Sequence, residues 1–323
     1  MKKINKKTIL FAAAGLLVLI GLVVGVCVPA NRKPKLIPLE KAGLDGKSDI
    51  MLAADHGLCA LAPENSTAAF AFAGEYGYAG VRFEVRRTVD GIWVVMEEDD
   101  VRGATDGKGK ISEMTFKQVL RCRLDKGRGA RRYDSDPPIV PTLEQALAVC
   151  SQNDLTPVIE VRQSGADCVE EVLRQVGGRQ KKACVLIFAE EEQISKAKEL
   201  LANPAFTFKV ESVLLCRYAE KLSDKALAEA KKTPDVAVCF SAADNKIKAV
   251  KRFADEGLTL FALKVNKPKL AKALYDAGVR RFTTDKLVYE PILSEEEKTT
   301  EKPHVTRPST TAKPTEKPSA TAQ

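Results

Sequence analysis

The sequence predicts an α/β protein, a parallel (β/α)8 TIM barrel preceded by one N-terminal transmembrane helix. Three observations predict it. Short apolar runs rich in branched residues alternate with segments of helical period, the pattern of strand-helix units wound around a parallel sheet. The chain has 323 residues, 45% hydrophobic and 29% charged, enough for one large core, and a barrel of about 250 residues is a common single-domain solution at that size. Ahead of these runs lies a segment almost without polar side chains.

That segment, ILFAAAGLLVLIGLVVGVCVPA from Ile9 to Ala30, follows Lys2, Lys3, Lys6 and Lys7. An apolar run near ~20 residues is long enough to span a bilayer, whereas the core of a cleaved signal peptide is usually about 7–15 residues. Residues 1–30 are therefore expected to be a short stub and a signal anchor, so that the chain meets a membrane through residues 9–30. Val28-Pro29-Ala30 offers a small-residue cleavage site, which keeps a secreted form as the alternative. The lysines before the segment place the N-terminus in the cytoplasm and the barrel outside the cell. The same lysines explain the net charge of +8. With Arg32, Lys33 and Lys35 they supply all but one unit of it, so the folded part carries no basic stripe and nucleic acid is excluded as a partner. Residues 31–48, with Pro34, Pro38, Gly43 and Gly46, read as a polar linker.

The barrel is expected over residues 49–293. Candidate strands are MLAA from Met51, VRFEV from Val81, IWVVM from Ile92, PVIEV from Pro157, CVLIF from Cys184, SVLLC from Ser212, VAVCF from Val236, LTLFAL from Leu258 and RRFTT from Arg280, nine candidates for eight places. Helices begin at Ser66, at Thr142 with Gln145 completing a capping box, and at Pro268. Asp125 to Pro138, charged and holding two glycines and two prolines, reads as an excursion from the barrel top. Cysteines at 59, 122, 150, 168, 184, 216 and 239 contain no C-x-x-C pair, which excludes the spacing of a zinc site; several sit in apolar runs, as small buried hydrophobes do. Residues 294–323 hold acids and bases in equal number and Val305 as the one large apolar residue, the composition of a disordered tail.

The stretch from Asp55 to Gly109, beginning DHGLCALAPENSTAAF, continuing GVRFEVRRTVDGIWVVMEEDD and closing on DGKG, resembles the glycerophosphodiester phosphodiesterases. Their pattern runs H-R-G, five residues, P-E-N, then E-x-D, K-D-G, V-V-x-H-D-D and a T-N-G-K-G-like turn. The resemblance extends over roughly Ile50 to Leu287, through PTLEQAL at Pro141 and AGVRRFTTD near the end, and implies a barrel of the PLC-like phosphodiesterase type. It makes VAVCF the irregular extra strand. Pro63-Glu64-Asn65 and Gly107-Lys108-Gly109 fix the register, and in that register the chemistry is replaced. The family's first catalytic histidine falls on Asp55 and its phosphate-binding arginine on His56. The metal carboxylates of E-x-D fall on Arg82 and Glu84, the second histidine on Glu97, and a third metal ligand on Glu160. Leu263 stands where a pocket tryptophan is common.

The family reaction, as the resemblance implies it, needs two histidines and a divalent cation. Histidine suits proton transfer because it titrates near neutral pH. The chain has two histidines, and His304 lies in the tail. A hard cation wants several oxygen ligands, and Arg82 brings a permanent positive charge instead. Arg82 is accordingly expected to take the cation's place among Asp55, Glu84, Glu97 and Glu160. Alternation along a strand turns His56 away from the site unless the loop distorts. Lys108 and Arg162 are candidates to hold a phosphate of a glycerophosphodiester or related small ligand. These residues point to a membrane-anchored, extracytoplasmic pseudoenzyme that acts as a binding or scaffold module without a cofactor. The alternative is an active phosphodiesterase rewired around His56, with calcium or magnesium held by Glu84 and Glu160.

Overall fold

A computed structural model describes residues 36–289. The elements are β1 (Ile37–Pro38), β2 (Met51–Asp55), α1 (Thr67–Glu75), β3 (Gly80–Arg87), β4 (Trp93–Val95), α2 (Phe116–Val119), α3 (Leu143–Gln152), β5 (Thr156–Val161), α4 (Asp167–Arg179), β6 (Ala183–Phe188), α5 (Glu191–Ala202), β7 (Ser212–Tyr218), α6 (Asp224–Lys232), β8 (Ala237–Ser241), α7 (Ile247–Asp255), β9 (Leu260–Leu263), α8 (Pro268–Asp276), β10 (Arg281–Thr284) and β11 (Leu287–Val288). Sheet order is β2-β10-β9-β8-β7-β6-β5-β3-β4, and β2 also pairs β3. Eight parallel strands thus close on themselves, the first seam being Met51↔Arg281 and the second Asp55↔Arg82.

The ninth strand is not the one expected. VAVCF is a full member of the barrel, paired in parallel with β7 and β9, and the extra strand is β4, which runs antiparallel to β3. The reason is connection length. Only Thr88 to Ile92 separate β3 from β4, enough for a hairpin turn at Asp90-Gly91 but far short of the dozen or more residues a parallel crossover requires.

Helix starts follow local chemistry. Ser66 Oγ accepts from Ala69 N at 3.1 Å, and Thr142 and Gln145 form a reciprocal capping box that ties the first turn of α3. Pro268 opens α8, where its missing N–H would be unpaired in any case.

Strand alternation divides the core. On β5, Ile159 and Val161 join the apolar layer under the helices, while Val158 joins the barrel interior with Ala53, Val185, Ile187, Cys216, Cys239 and Phe261. The same period puts Glu160 inside with Val158, Arg82 and Glu84 inside on β3, and Asp55 inside with Ala53 on β2. The interior is therefore apolar over most of its depth and ionic near the C-terminal ends of the strands.

Residues 36–48 differ from the expected linker. β1 pairs in parallel with β11, and Leu39 and Leu44 are buried, so this segment clasps the outside of the barrel. The segment from Glu98 to Val140 packs over its own small core of Val101, Ile111, Val119 and Leu124 against Val94 and Met96. All seven described cysteines are buried free thiols, as their apolar surroundings predict. Among the described residues no helix is long and apolar enough to cross a membrane; the anchor expected at 9–30 and the tail at 294–323 lie outside them.

Candidate functional site

Arg82 occupies the centre of the barrel mouth. Its Nη1 donates to Asp55 Oδ1 at 2.9 Å, and its Nη2 lies 2.7 Å from Glu84 Oε1 and 2.5 Å from Glu160 Oε2. One guanidinium therefore holds carboxylates from β2, β3 and β5. All four groups are sealed from water, with Asp55 and Glu84 at 0% exposure, Arg82 at 2% and Glu160 at 5%. Thr283 Oγ1 donates to Asp55 Oδ1 at 3.1 Å, and Arg162 Nη2 pairs with the other Glu160 oxygen at 2.8 Å. Glu84 Oε2 and Arg82 Nε are buried without a hydrogen-bond partner, so the network is well charged but incompletely bonded.

His56 reaches the site, contrary to the alternation argument. Strand β2 ends at Asp55, and His56 takes a left-handed backbone, φ 61, which turns its side chain back toward the mouth. Its amide donates to Arg82 O at 2.8 Å and its carbonyl accepts from Asn65 N at 2.9 Å, so the distortion is held from both sides. Non-glycine residues adopt this region rarely and at a cost, and such residues cluster at functional sites. The ring is fully buried, with Nε2 3.0 Å from Glu84 Oε1 and Nδ1 3.2 Å from Asp55 Oδ2. Burial favours the neutral ring, but Asp55 and Glu84 outweigh it and raise the His56 pKa to about 10. Burial likewise opposes the charge on Asp55 and Glu84, and Arg82 and His56 overcome it, holding both carboxyls well below their ordinary range.

Two candidates do not join this cluster. Glu97 does not ring Arg82; it stands at the rim, 3.6 Å from His56 Nε2 through one oxygen and 3.6 Å from Lys264 Nζ through the other. Its carboxylate follows β4, which the hairpin sets beside the barrel rather than in its wall. Lys108 is exposed on the outer segment and takes part in none of these ion pairs. Arg162 does reach the rim, but as the partner of Glu160.

A second arginine was not legible as a site residue. Arg128, from the 125–138 excursion, closes the mouth. Its Nε donates to Glu64 Oε2 at 2.6 Å, Nη1 pairs with Asp285, and Nη2 abuts His56 Nδ1. Asp285, just after β10, is shared with Asn266 Nδ2 at 2.7 Å. Gly127 and Gly129 flank the arginine with φ 81 and φ 77, and a Cβ on Gly129 would stand 2.0 Å from Ala62 O. Only glycine permits that approach. The Gly-Arg-Gly triplet was the available signal, though its partners lie too far away in sequence to be inferred.

The divalent cation implied by the resemblance does not fit these residues as they stand. Arg82 Nη2 fills the space between Glu84 and Glu160 at hydrogen-bond distance from both. The two other donor trios among the described residues, His56 with Glu84 and Glu97 and His56 with Asp55 and Asp285, both depend on a ring whose Nε2 is paired to Glu84 and whose Nδ1 lies against Asp55 and Arg128.

The profile of the glycerophosphoryl diester phosphodiesterase family matches residues 56–288. Glycerophosphodiester phosphodiesterase 1 of Bos taurus is 37% identical over 102 residues, which are 31% of this chain and 30% of the bovine one. A glycerophosphodiester phosphodiesterase of Caldanaerobacter subterraneus is 30% identical over 101 residues, 31% of this chain and 40% of its own. These alignments thus cover well under half the length of either relative. Among solved structures, a phosphodiesterase from Oleispira antarctica in complex with the product sn-glycerol-3-phosphate superposes with a TM-score of 0.62 at 20% identity, covering 74% of this chain and 94% of that one. A glycerophosphodiester phosphodiesterase from Parabacteroides distasonis superposes at 0.54 with 20% identity, covering 73% and 92%.

Proposed function

The chain belongs to the glycerophosphoryl diester phosphodiesterase family, and from that membership we propose that it is a member whose hydrolytic activity has lapsed and whose barrel serves as a binding or scaffold module. One observation carries this reading. His56 is the sole histidine among the described residues, and its buried ring is committed to the ionic cluster, Nε2 3.0 Å from Glu84 Oε1 and Nδ1 3.2 Å from Asp55 Oδ2, carboxylates that favour its charged form. A charged ring has no lone pair with which to take a proton from a nucleophile, and a general base works best with a pKa near the operating pH. Among the described residues no second histidine stands ready to protonate a leaving alkoxide; Glu97 is at the position the resemblance gives to that histidine, paired to Lys264.

The surface offered to a ligand is the partly exposed rim of Glu97, Arg128, Arg162 and Lys264. Its mixed charge supports a small glycerophosphodiester or related ligand; the Oleispira neighbour holds sn-glycerol-3-phosphate, a phosphomonoester that is a product. The apolar segment 9–30 and its preceding lysines support a membrane-anchored domain facing out of the cytoplasm.

The test is an assay of the full-length chain in mild non-ionic detergent on glycerophosphodiesters, with calcium, magnesium or manganese. Turnover should not exceed that of heat-inactivated protein. Metal-dependent turnover abolished by His56→Ala would establish the rewired enzyme instead, a reading favoured only by the turn of His56 into the site.

A further inference from the structure

Three carboxylates from three strands converge on one buried guanidinium at 2.5–2.9 Å. Glu84 keeps one further buried oxygen without a hydrogen-bond partner, and the further oxygen of Asp55 meets only the His56 ring, at 3.2 Å. Buried acids are normally paired or bound to metal, because an isolated buried charge is very costly. The second Glu84 oxygen faces no protein donor, so the guanidinium does not use all the bonding capacity of the acids.

Arg82 places a permanent positive charge where Asp55, Glu84 and Glu160 meet, and Arg162 pairs with the outer oxygen of Glu160. Replacing Arg82 by glutamate removes one positive charge and adds one negative, a change of two units, which is the charge of one calcium or magnesium ion. It also supplies a fourth carboxylate from position 82, two residues before Glu84 on β3 and opposite Asp55 on β2. Calcium takes six to eight oxygen ligands in adaptable geometry, so four carboxylates, some bidentate, form a sufficient core with water.

We propose that Arg82 is an internal counter-cation that makes the barrel independent of divalent metal, and that this one residue decides whether the acidic cluster holds an ion. The proposal goes beyond loss of hydrolysis. A catalytically silent domain can still bind calcium, and an active one need not, so the two ideas fail in different measurements.

The experiment is a set of thermal melts of the full-length chain in detergent, for the parent, Arg82→Glu and Arg82→Gln, each with chelator, magnesium or calcium, together with calorimetric titration of calcium. The parent should melt at one temperature in all three conditions and show no calcium binding. Arg82→Glu should melt lower than the parent in chelator and recover by about 5 °C or more in calcium at a hundredfold excess over Kd. Arg82→Gln keeps the three acids without adding a fourth and should bind calcium more weakly than Arg82→Glu but measurably. If Arg82→Glu does not fold in any condition, Arg82→Gln decides: calcium binding by it supports the proposal and its absence overturns it. A parent stabilised by calcium as strongly as the variants, or folded variants indifferent to calcium, would also overturn it.

Discussion

The imidazole of His56 and the carboxyls around it make folding sensitive to pH from both sides. Asp55 and Glu84 bind protons less readily folded than unfolded. Their contribution is therefore complete above the unfolded carboxylate range, about pH 4–4.5, and is lost as pH falls below it. His56 behaves oppositely. Its pKa rises from 6.5 to about 10 on folding, so its contribution is complete below about pH 6.5 and drains away as pH climbs toward 10. Urea denaturation across this range should show greatest stability near pH ~5–6.5, with a decline on the alkaline side as the His56 contribution is lost. His56→Gln should flatten the alkaline limb. A parent protein equally stable at pH 6 and pH 9.5 would show that the folded ring is neutral. At this scale the sequence was informative about Arg82, Asp55, Glu84 and Glu160, because strand register fixes which side chains share a face. For His56 it gave only the condition that the loop distort, because the left-handed turn that redirects the ring is held by hydrogen bonds to Arg82 and Asn65, and periodicity carries no trace of them.

Among the elements, the excursion over residues 125–138 depends on a close approach that a single methyl group would prevent. A Cβ at Gly129 meets Ala62 O, Ala62 C and Cys59 O within 2.6 Å and would require φ 77, whereas Gly91 has φ 86 but nothing within 4 Å. Gly91→Ala should therefore cost only backbone strain, about 1 kcal/mol. Gly129→Ala should cost about 1–3 kcal/mol or more and also free Arg128 from Glu64 and Asp285. The checks are denaturation midpoints and limited proteolysis between residues 125 and 138. Equal midpoints and equal cleavage for the two variants would mean that the excursion does not rest on the 59–64 loop as described. The strands themselves were mostly legible from apolar runs. The error over β4 and β8 arose because composition does not distinguish a hairpin arm from a barrel strand; the five-residue gap after β3 does. Arg128 escaped because three of its partners, Glu64, Asp285 and His56, come from distant loops.

For the molecule as a whole, fractionation should leave the chain with the membranes, where external protease removes the barrel from intact cells, as expected of an uncleaved span over residues 9–30. Soluble protein beginning near Asn31 would show instead that the segment is a processed leader. The closing seam bears on how such a chain matures. Strand β2 pairs with β3 on one side and with β10 on the other, Met51 against Arg281 and Ala54 against Thr284, so the first wall strand waits for the last. A polypeptide emerging from its N-terminus carries β2 with one row of amides and carbonyls unpaired until almost the whole domain has appeared. Contacts this distant in sequence form slowly, and an open edge is a template for association with other chains. The interval between the appearance of β2 and that of β10 is thus the vulnerable period in the life of this protein, and the length of the chain between them sets how long it lasts.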